Sequence, residues 1–292
     1  MKKIFKFRGW IQAAATLLTN ANLPGFFSGR IYTGATKNIC VPGLNCYSCP
    51  GAMGSCPIGA LQAVLSGNKH NFSYYVVGLL LLFGVVLGRF ICGFLCPVGW
   101  FQQLLHKIPV KKLSIRQKLD RRLRLTKYGI LIVFVLALPI LLVDSFGLSA
   151  PYFCKWLCPA GTLEGGIPLM IANASLRSSA GFLFWWKVGL LALTLILSML
   201  IYRPFCKYIC PLGAFYALLN RVSLMRMQID GDSCISCGKC VRVCPMQVEV
   251  LKNINSAECI RCGKCASECP TGAIELKFGK IELKKNEIKE AQ

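Results

Sequence analysis

Eighteen cysteines stand in a chain of 292 residues, and their spacing sorts them by the chemistry they can do. Residues 234–245 read CISCGKCVRVCP, and residues 259–270 read CIRCGKCASECP. Both are C-x2-C-x2-C-x3-C-P. Three closely spaced thiolates wrap three corners of a cubane through a tight turn containing glycine. The fourth lies too far along the chain to reach the same cubane and ligates the other one. The spacing therefore predicts one [4Fe–4S] site on Cys234, Cys237, Cys240 and Cys269, and a second on Cys259, Cys262, Cys265 and Cys244. Paired Cys-x2-Cys motifs also bind zinc. Eight cysteines in two complete copies, each closing on Cys-Pro, favour the clusters.

The other ten cysteines carry a second pattern. C-x3-C-P-x-G occurs as CGFLCPVG (92–99), CKWLCPAG (154–161) and CKYICPLG (206–213). A half-copy, CPIG (56–59), follows Cys40, Cys46 and Cys49. Each copy leads into an apolar or aromatic stretch, so the fourfold C-P-x-G marks a repeated structural unit.

The elements that must position these thiols are membrane helices. Hydrophobic residues make up 54% of the chain, charged residues 16%, and mean hydropathy is +0.53. A soluble domain carries about 25% charged residues. This apolar content also excludes disorder, and the length excludes a small disulfide scaffold. Apolar runs at 72–95, 128–143 and 182–202 are long enough to span, given that a crossing helix needs about 20 residues. A weaker run at 10–27 is read as the first helix; it lacks a cleavage site after a clean apolar core, which argues against a removed signal peptide. The apolar stretch 165–176 is too short to span and reads as re-entrant or interfacial.

The chain carries 34 Lys+Arg against 12 Asp+Glu. Before residue 229 the acids are only Asp120, Asp144 and Glu164. Basic residues bracket the apolar runs, 17 on one side and 5 on the other, which puts both termini in the cytoplasm by the positive-inside rule. No basic patch is interleaved with a recognition motif, so nucleic-acid binding is excluded as a reading. The expected fold is membrane α-helical, with about four transmembrane helices and an inverted pseudo-repeat of C-x3-C-P-x-G units, plus a small α+β dicluster ferredoxin domain. Its expected parts are a transmembrane iron–sulfur domain (1–228), a ferredoxin-like domain (229–275) and a tail (276–292). The tail sequence IELKFGKIELKK suggests a small hairpin.

That topology divides the ten cysteines between two faces. Cys92, Cys96, Cys206 and Cys210 fall on the cytoplasmic side and supply the ligand set of one cluster. Cys40, Cys46, Cys49, Cys56, Cys154 and Cys158 fall outside. There a cluster on Cys49, Cys56, Cys154 and Cys158 leaves Cys40 and Cys46 as a disulfide or as alternative ligands. An oxidising exterior equally permits disulfides throughout this set.

Other polar residues have two readings each. His70 and His106 lie at opposite faces and read as interfacial. Glu164 is either a proton acceptor beside a quinol or a cap, and is the one weak catalytic candidate. Asp144 reads as a solvated helix end. Arg89 either snorkels to the surface or offsets the charge of the inner cluster. Gly84 and Gly88 form a weak G-x-x-x-G packing signal. Trp185 and Trp186 read as interfacial anchors. No P-loop or dinucleotide fingerprint is present.

Taken together, the apolar helices, the C-x3-C-P repeats and the terminal dicluster motif resemble the NapH/NosR/CcoG-type membrane polyferredoxins over about residues 8–272. The stretch VPGLNCYSCPGAMGSCPIGALQ is similar to one subgroup of these. The resemblance implies an electron-transfer subunit of a multi-pass cytoplasmic-membrane complex. Electrons would pass between a cytoplasmic donor or acceptor at the ferredoxin domain and a quinone or an extracytoplasmic flavoprotein. The chain departs from larger members in having no flavin domain and no C-x-x-C-H haem motif, so a flavin would belong to a partner. Quinol dehydrogenase subunit, and redox-sensing or cluster-assembly protein, are the alternative readings.

Overall fold

The structure is a computed structural model that describes residues 2–66, 74–142 and 149–279. His70, Asp144 and the second half of the expected tail hairpin lie outside the described residues.

Helices begin where cysteine meets proline. The principal ones are α1 (Arg8–Thr19), α2 (Pro57–Leu65), α3 (Tyr74–Val86), α4 (Pro97–His106), α5 (Gln117–Leu141), α6 (Phe182–Leu200) and α7 (Pro211–Leu219). Cys56, Cys96 and Cys210 directly precede α2, α4 and α7, and Cys158 precedes the short turn Pro159–Gly161. At all four, the cysteine backbone is extended and proline is the first helical residue. Proline forces the residue before it out of the helical region, and its own missing N–H costs nothing in a first turn. The repeat thus ends one segment on a thiol and starts a helix on the next residue.

α5 and α6 are the two described helices long and apolar enough to cross a membrane, at 25 and 19 residues with mean hydropathies of 1.8 and 1.9. α3 is apolar but has only 13 residues. The run 72–95 is not one helix: Gly88 takes a left-handed φ of 52°, and Arg89 turns the chain into the short helix Phe90–Phe94. The run 10–27 divides as well. α1 closes at Asn20, whose amide donates back to the Thr16 carbonyl, and Pro24 opens the separate helix Pro24–Ser28. In α5, Leu131–Ala137 widen into π-helical turns just before Pro139. Gly84 of α3 lies against Leu219 of α7, so the G-x-x-x-G glycine packs within the chain.

One core gathers Leu80, Ile91, Val98, Leu212 and Tyr216 around the membrane-domain thiols, and Met246, Val248 and Ile260 of the carboxy-terminal module join it. A smaller core of Met227, Val250, Ile254, Ile274 and Leu276 lies inside that module. Two strands, β1 (Met225–Ile229) and β2 (Ile274–Phe278), pair antiparallel over it, with Met225 opposite Phe278 and Ile229 opposite Ile274. β2 therefore takes a partner from upstream of the first cysteine run. Burying Met227 against Ile274 and Leu276 is the reason, since alternate residues share a sheet face.

Candidate metal centres

The two ferredoxin runs repeat one backbone shape. Ser236 and Arg261, each just before the second cysteine of its run, have φ values of 50° and 51°. Gly238 and Gly263, each just after it, have φ values of 69° and 74°. Alternating left-handed residues curl the chain so that neighbouring thiols face one space. Cys234, Cys237, Cys240 and Cys269 line one cavity. Cys244, Cys259, Cys262 and Cys265 line another. Cys237 is exposed, so the first cavity is the one nearer solvent.

The second cavity is docked onto the helical domain. Glu258, directly before Cys259, is gripped by Arg89 Nη1 at 2.9 Å and Lys127 Nζ at 2.6 Å. Burial alone would raise the Glu258 carboxyl, but Arg89 and Lys127 hold it below its ordinary range. Arg89 also donates to Ala257 O at 2.8 Å and to Cys206 O at 3.3 Å. It is fully buried, so it does not snorkel to a surface. Arg261 donates to Leu87 O at 2.7 Å, Asn220 O at 2.8 Å and Ser223 Oγ at 2.5 Å. Gly93 meets the Ile260 carbonyl so closely that a Cβ there would overlap it. The Cys259–Cys262 turn thus rests directly on the Cys92–Cys96 segment.

Cys92, Cys96, Cys206 and Cys210 lie within electrostatic range of one another, and all four are buried. Two fully buried guanidiniums flank this inner set. Arg203 donates to Cys92 O at 2.5 Å, as Arg89 does to Cys206 O. Gln102 Nε2 donates to Cys206 Sγ at 3.1 Å, while its Oε1 accepts from Phe205 N at 3.1 Å.

The outer set repeats that grip. Gln62 Nε2 donates to Cys154 Sγ at 3.4 Å, and its Oε1 accepts from Phe153 N at 3.0 Å. Lys187 Nζ donates to Cys154 O at 3.2 Å. Cys56, Cys154 and Cys158 lie within electrostatic range of one another here. Cys49, expected as their fourth companion, instead has its thiol 3.6 Å from Asn20 Oδ1. Cys40 pairs with Ser55 in an isolated parallel bridge. None of the cysteines is joined to another in a disulfide.

Glu164 does not cap the segment that follows it. Its Oε2 accepts from Cys46 N at 2.6 Å. Burial pushes its carboxyl up to about 7, against the pull of that N–H. His106 packs edge-on against Tyr202. Trp185 and Trp186 are exposed on α6, in keeping with their reading as anchors, and Trp186 Nε1 donates to Trp156 O.

The inner and outer sets are neighbours, not occupants of faces separated by a bilayer core of about 30 Å. The amide of Leu44 faces the Cys96 thiol, and the next amide, that of Asn45, faces the Cys56 thiol. Consecutive Cα atoms are about 3.8 Å apart, so a single peptide unit links the two sets. Tyr216, wholly buried, donates from its hydroxyl to Pro42 O at 2.9 Å and lies in electrostatic range of Cys92, Cys96 and Cys210 as well as Cys56. Sequence reasoning placed a full membrane thickness here because it treated the 40–49 segment as an external loop. The structure folds that segment inward.

Sequence reasoning named Glu164 without its grip on Cys46 and missed Gln62, Gln102 and Tyr216. Gln62, Gln102, Glu164 and Tyr216 each stand six residues after the cysteine of a C-P-x-G. Aligning the four copies on that cysteine would have found them.

The donor sets suit an iron–sulfur centre. Each offers soft thiolates, which take iron–sulfur clusters, with N–H groups aimed at sulfur. Among the described residues, no three of His, Cys, Asp and Glu converge at the spacing of a single bound ion.

Comparison with known proteins bears on the same residues. A family described as a 4Fe-4S dicluster domain matches residues 226–270. One described as a 4Fe-4S binding domain matches residues 70–116, 129–167 and 182–229. An uncharacterized protein of Methanocaldococcus jannaschii is 28% identical over 68% of this chain and 76% of its own length. The methylamine utilization ferredoxin-type protein MauN of Methylobacillus flagellatus is 31% identical over 65% of this chain and 60% of its own. The ferredoxin-type protein NapH of Haemophilus influenzae is 29% identical over 60% of this chain and 54% of its own. The chain thus spans between half and two thirds of the length of these last two relatives. No solved structure matches.

These matches and the thiol geometry define a ferredoxin-type protein that binds 4Fe–4S clusters and transfers electrons. Within that class, the chain is similar to the NapH- and NosR-type 4Fe–4S proteins.

Proposed function

We propose that the chain is a membrane-bound relay carrying single electrons between a cytoplasmic partner at the ferredoxin module and a partner reached from the outer thiols. A bound [4Fe–4S] cluster takes up and releases one electron at a time. The four ligand groups run in sequence: Cys234, Cys237, Cys240 and Cys269; then Cys244, Cys259, Cys262 and Cys265; then Cys92, Cys96, Cys206 and Cys210; then Cys56, Cys154 and Cys158 with a fourth thiol from the 40–49 segment.

The observation that carries this reading is continuity. The Cys259–Cys262 turn rests on the inner thiols, and the Leu44–Asn45 peptide joins the inner thiols to the outer ones. Arg89, Lys127 and Arg261 hold the module in register. The outward-facing side chains of α5 and α6, with Trp185 and Trp186 exposed, support a position in the bilayer. The exposed Cys237 end is where a cytoplasmic partner would dock.

The test uses full-length protein in sealed vesicles. A reduced, membrane-impermeant viologen is added on the ferredoxin side, and an impermeant acceptor is trapped on the other. Transfer is expected in the unaltered chain. It is expected to be lost in Cys206→Ala, although the ferredoxin clusters are still reduced. Equal transfer by Cys206→Ala would overturn the relay.

A further inference from the structure

The four C-P-x-G copies make two pairs, and the residue six places after the cysteine reaches across from one copy to its partner. Gln102, after Cys96, crosses to Phe205 N and the Cys206 thiol. Gln62, after Cys56, crosses to Phe153 N and the Cys154 thiol. In both cases the residue gripped is the first cysteine of the partner's C-x3-C-P or the amide just before it. Glu164, after Cys158, occupies the same place in the third copy and crosses to the amide of Cys46. Tyr216, in the fourth copy, departs from the rule by reaching Pro42 O. Glu164 takes the amide of the cysteine itself, where the glutamines take that of the residue before it, and this crossing contact puts Cys46 at the place of a first cysteine. The half-copy has Ala52 at the usual position four residues before Cys56, so a thiol must come from further back in the chain.

Two further observations favour Cys46. Its Sγ lies 3.7 Å from the point where a Cβ on Gly161 would sit, inside the C-P-A-G turn that Cys158 opens. It also lies in electrostatic range of Cys56, Cys154 and Cys158. Cys49 is turned to Asn20, and Cys40 is held in its bridge to Ser55.

We propose that Cys46, Cys56, Cys154 and Cys158 are the ligands of a fourth [4Fe–4S] cluster, with a C-x9-C spacing in one half-site and Glu164 as the residue that positions Cys46. This rests on the reading of the outer thiols as a metal centre. Cys40 and Cys49 are then not ligands. The longer spacing has a structural reason. The residues between Cys46 and Cys56 include the segment that packs against Asn20 and Asn22 of the amino-terminal region, through Asn22 N to Gly51 O and Asn22 Nδ2 to Pro50 O. The half-site therefore carries an inserted loop anchored elsewhere while its two thiols stay together.

The experiment is iron and sulfide content, with the electron paramagnetic resonance spectrum of the reduced state, for full-length protein purified without oxygen. The unaltered chain is expected to hold about sixteen irons, four per cluster. Cys154→Ala should lose about four irons and one signal. If it loses neither, the outer centre itself is refuted. Given that loss, the double variant Cys40→Ala/Cys49→Ala is expected to keep all sixteen irons and an unchanged spectrum, which leaves Cys46 as the remaining thiol of its segment. Loss of about four irons in that double variant would overturn the assignment while the outer centre stands. Cys46→Ala should match Cys154→Ala, and retention of sixteen irons with the native spectrum would equally overturn it. Glu164→Ala should lower occupancy of the outer site, and Glu164→Gln, whose amide oxygen still accepts from Cys46 N, should restore it. Equal occupancy in the two variants would remove the positioning role.

Discussion

The inner and outer thiol sets are built on the same grip and dressed in different charge. At both, a buried glutamine donates to a thiol and accepts from the amide just before it. Around the inner set stand two fully buried guanidiniums, Arg89 and Arg203. Around the outer set stand two ammoniums, Lys187 and Lys37, and one carboxyl, Glu164. The repeat therefore fixes how thiols are held, while residues outside the repeat fix the field they feel. Positive charge favours the reduced, more negative state, so the inner site should have the higher potential.

The largest effect should come from breaking the contact that only the inner set makes. Glu258→Ala leaves Arg89 and Lys127 buried without their shared carboxylate, a loss of about 3–5 kcal/mol. The ferredoxin module should then come away from the helical domain. Limited proteolysis should cut near the 221–225 connection while the outer site keeps its iron. If the module stays protected, the ion triad is not what docks it.

A smaller effect tests the shared part of the comparison. Gln62→Leu and Gln102→Leu each remove one N–H···S bond and strand one buried amide, at a cost of about 1–3 kcal/mol. Each should lower the potential of its own site and leave the other unchanged. Redox titration followed by paramagnetic resonance reads both at once. Unequal shifts would mean that the two grips are alike in geometry only.

The smallest effect tests the difference in charge. Glu164→Gln keeps the bond to Cys46 N and removes the acid. The outer potential should rise by something on the order of 59 mV, the one-electron equivalent of a tenfold change, with the inner site unmoved. A fall, or an equal rise at both sites, would end the account of the two fields.

What the sequence made legible follows from how local each signal is. The ferredoxin pairing is encoded within runs of twelve residues, and the cavities group the same thiols. The helix starts at C-P are local too. The spans at 72–95 and 10–27 were overread because hydropathy does not register the left-handed Gly88 or the break between Asn20 and Pro24. Arg89 kept two readings, surface or inner site, because its partner Glu258 is 169 residues away in the chain. The inward fold of the 40–49 segment depends on Tyr216 and Glu164, 174 and 118 residues from their partners, and no local window of sequence contains both ends.

The doubly anchored side chains of the inner site bear on speed as well as on affinity. Gln102 is tied at both ends of its amide, and Arg203 is held by Cys92 O and by Gln103 Oε1. Dipoles pinned in this way cannot swing when a charge arrives, and in this buried region little solvent is present to reorient. The nuclear rearrangement that accompanies each hop is then small, so the stiffness of this shell sets how quickly the site can be filled and emptied.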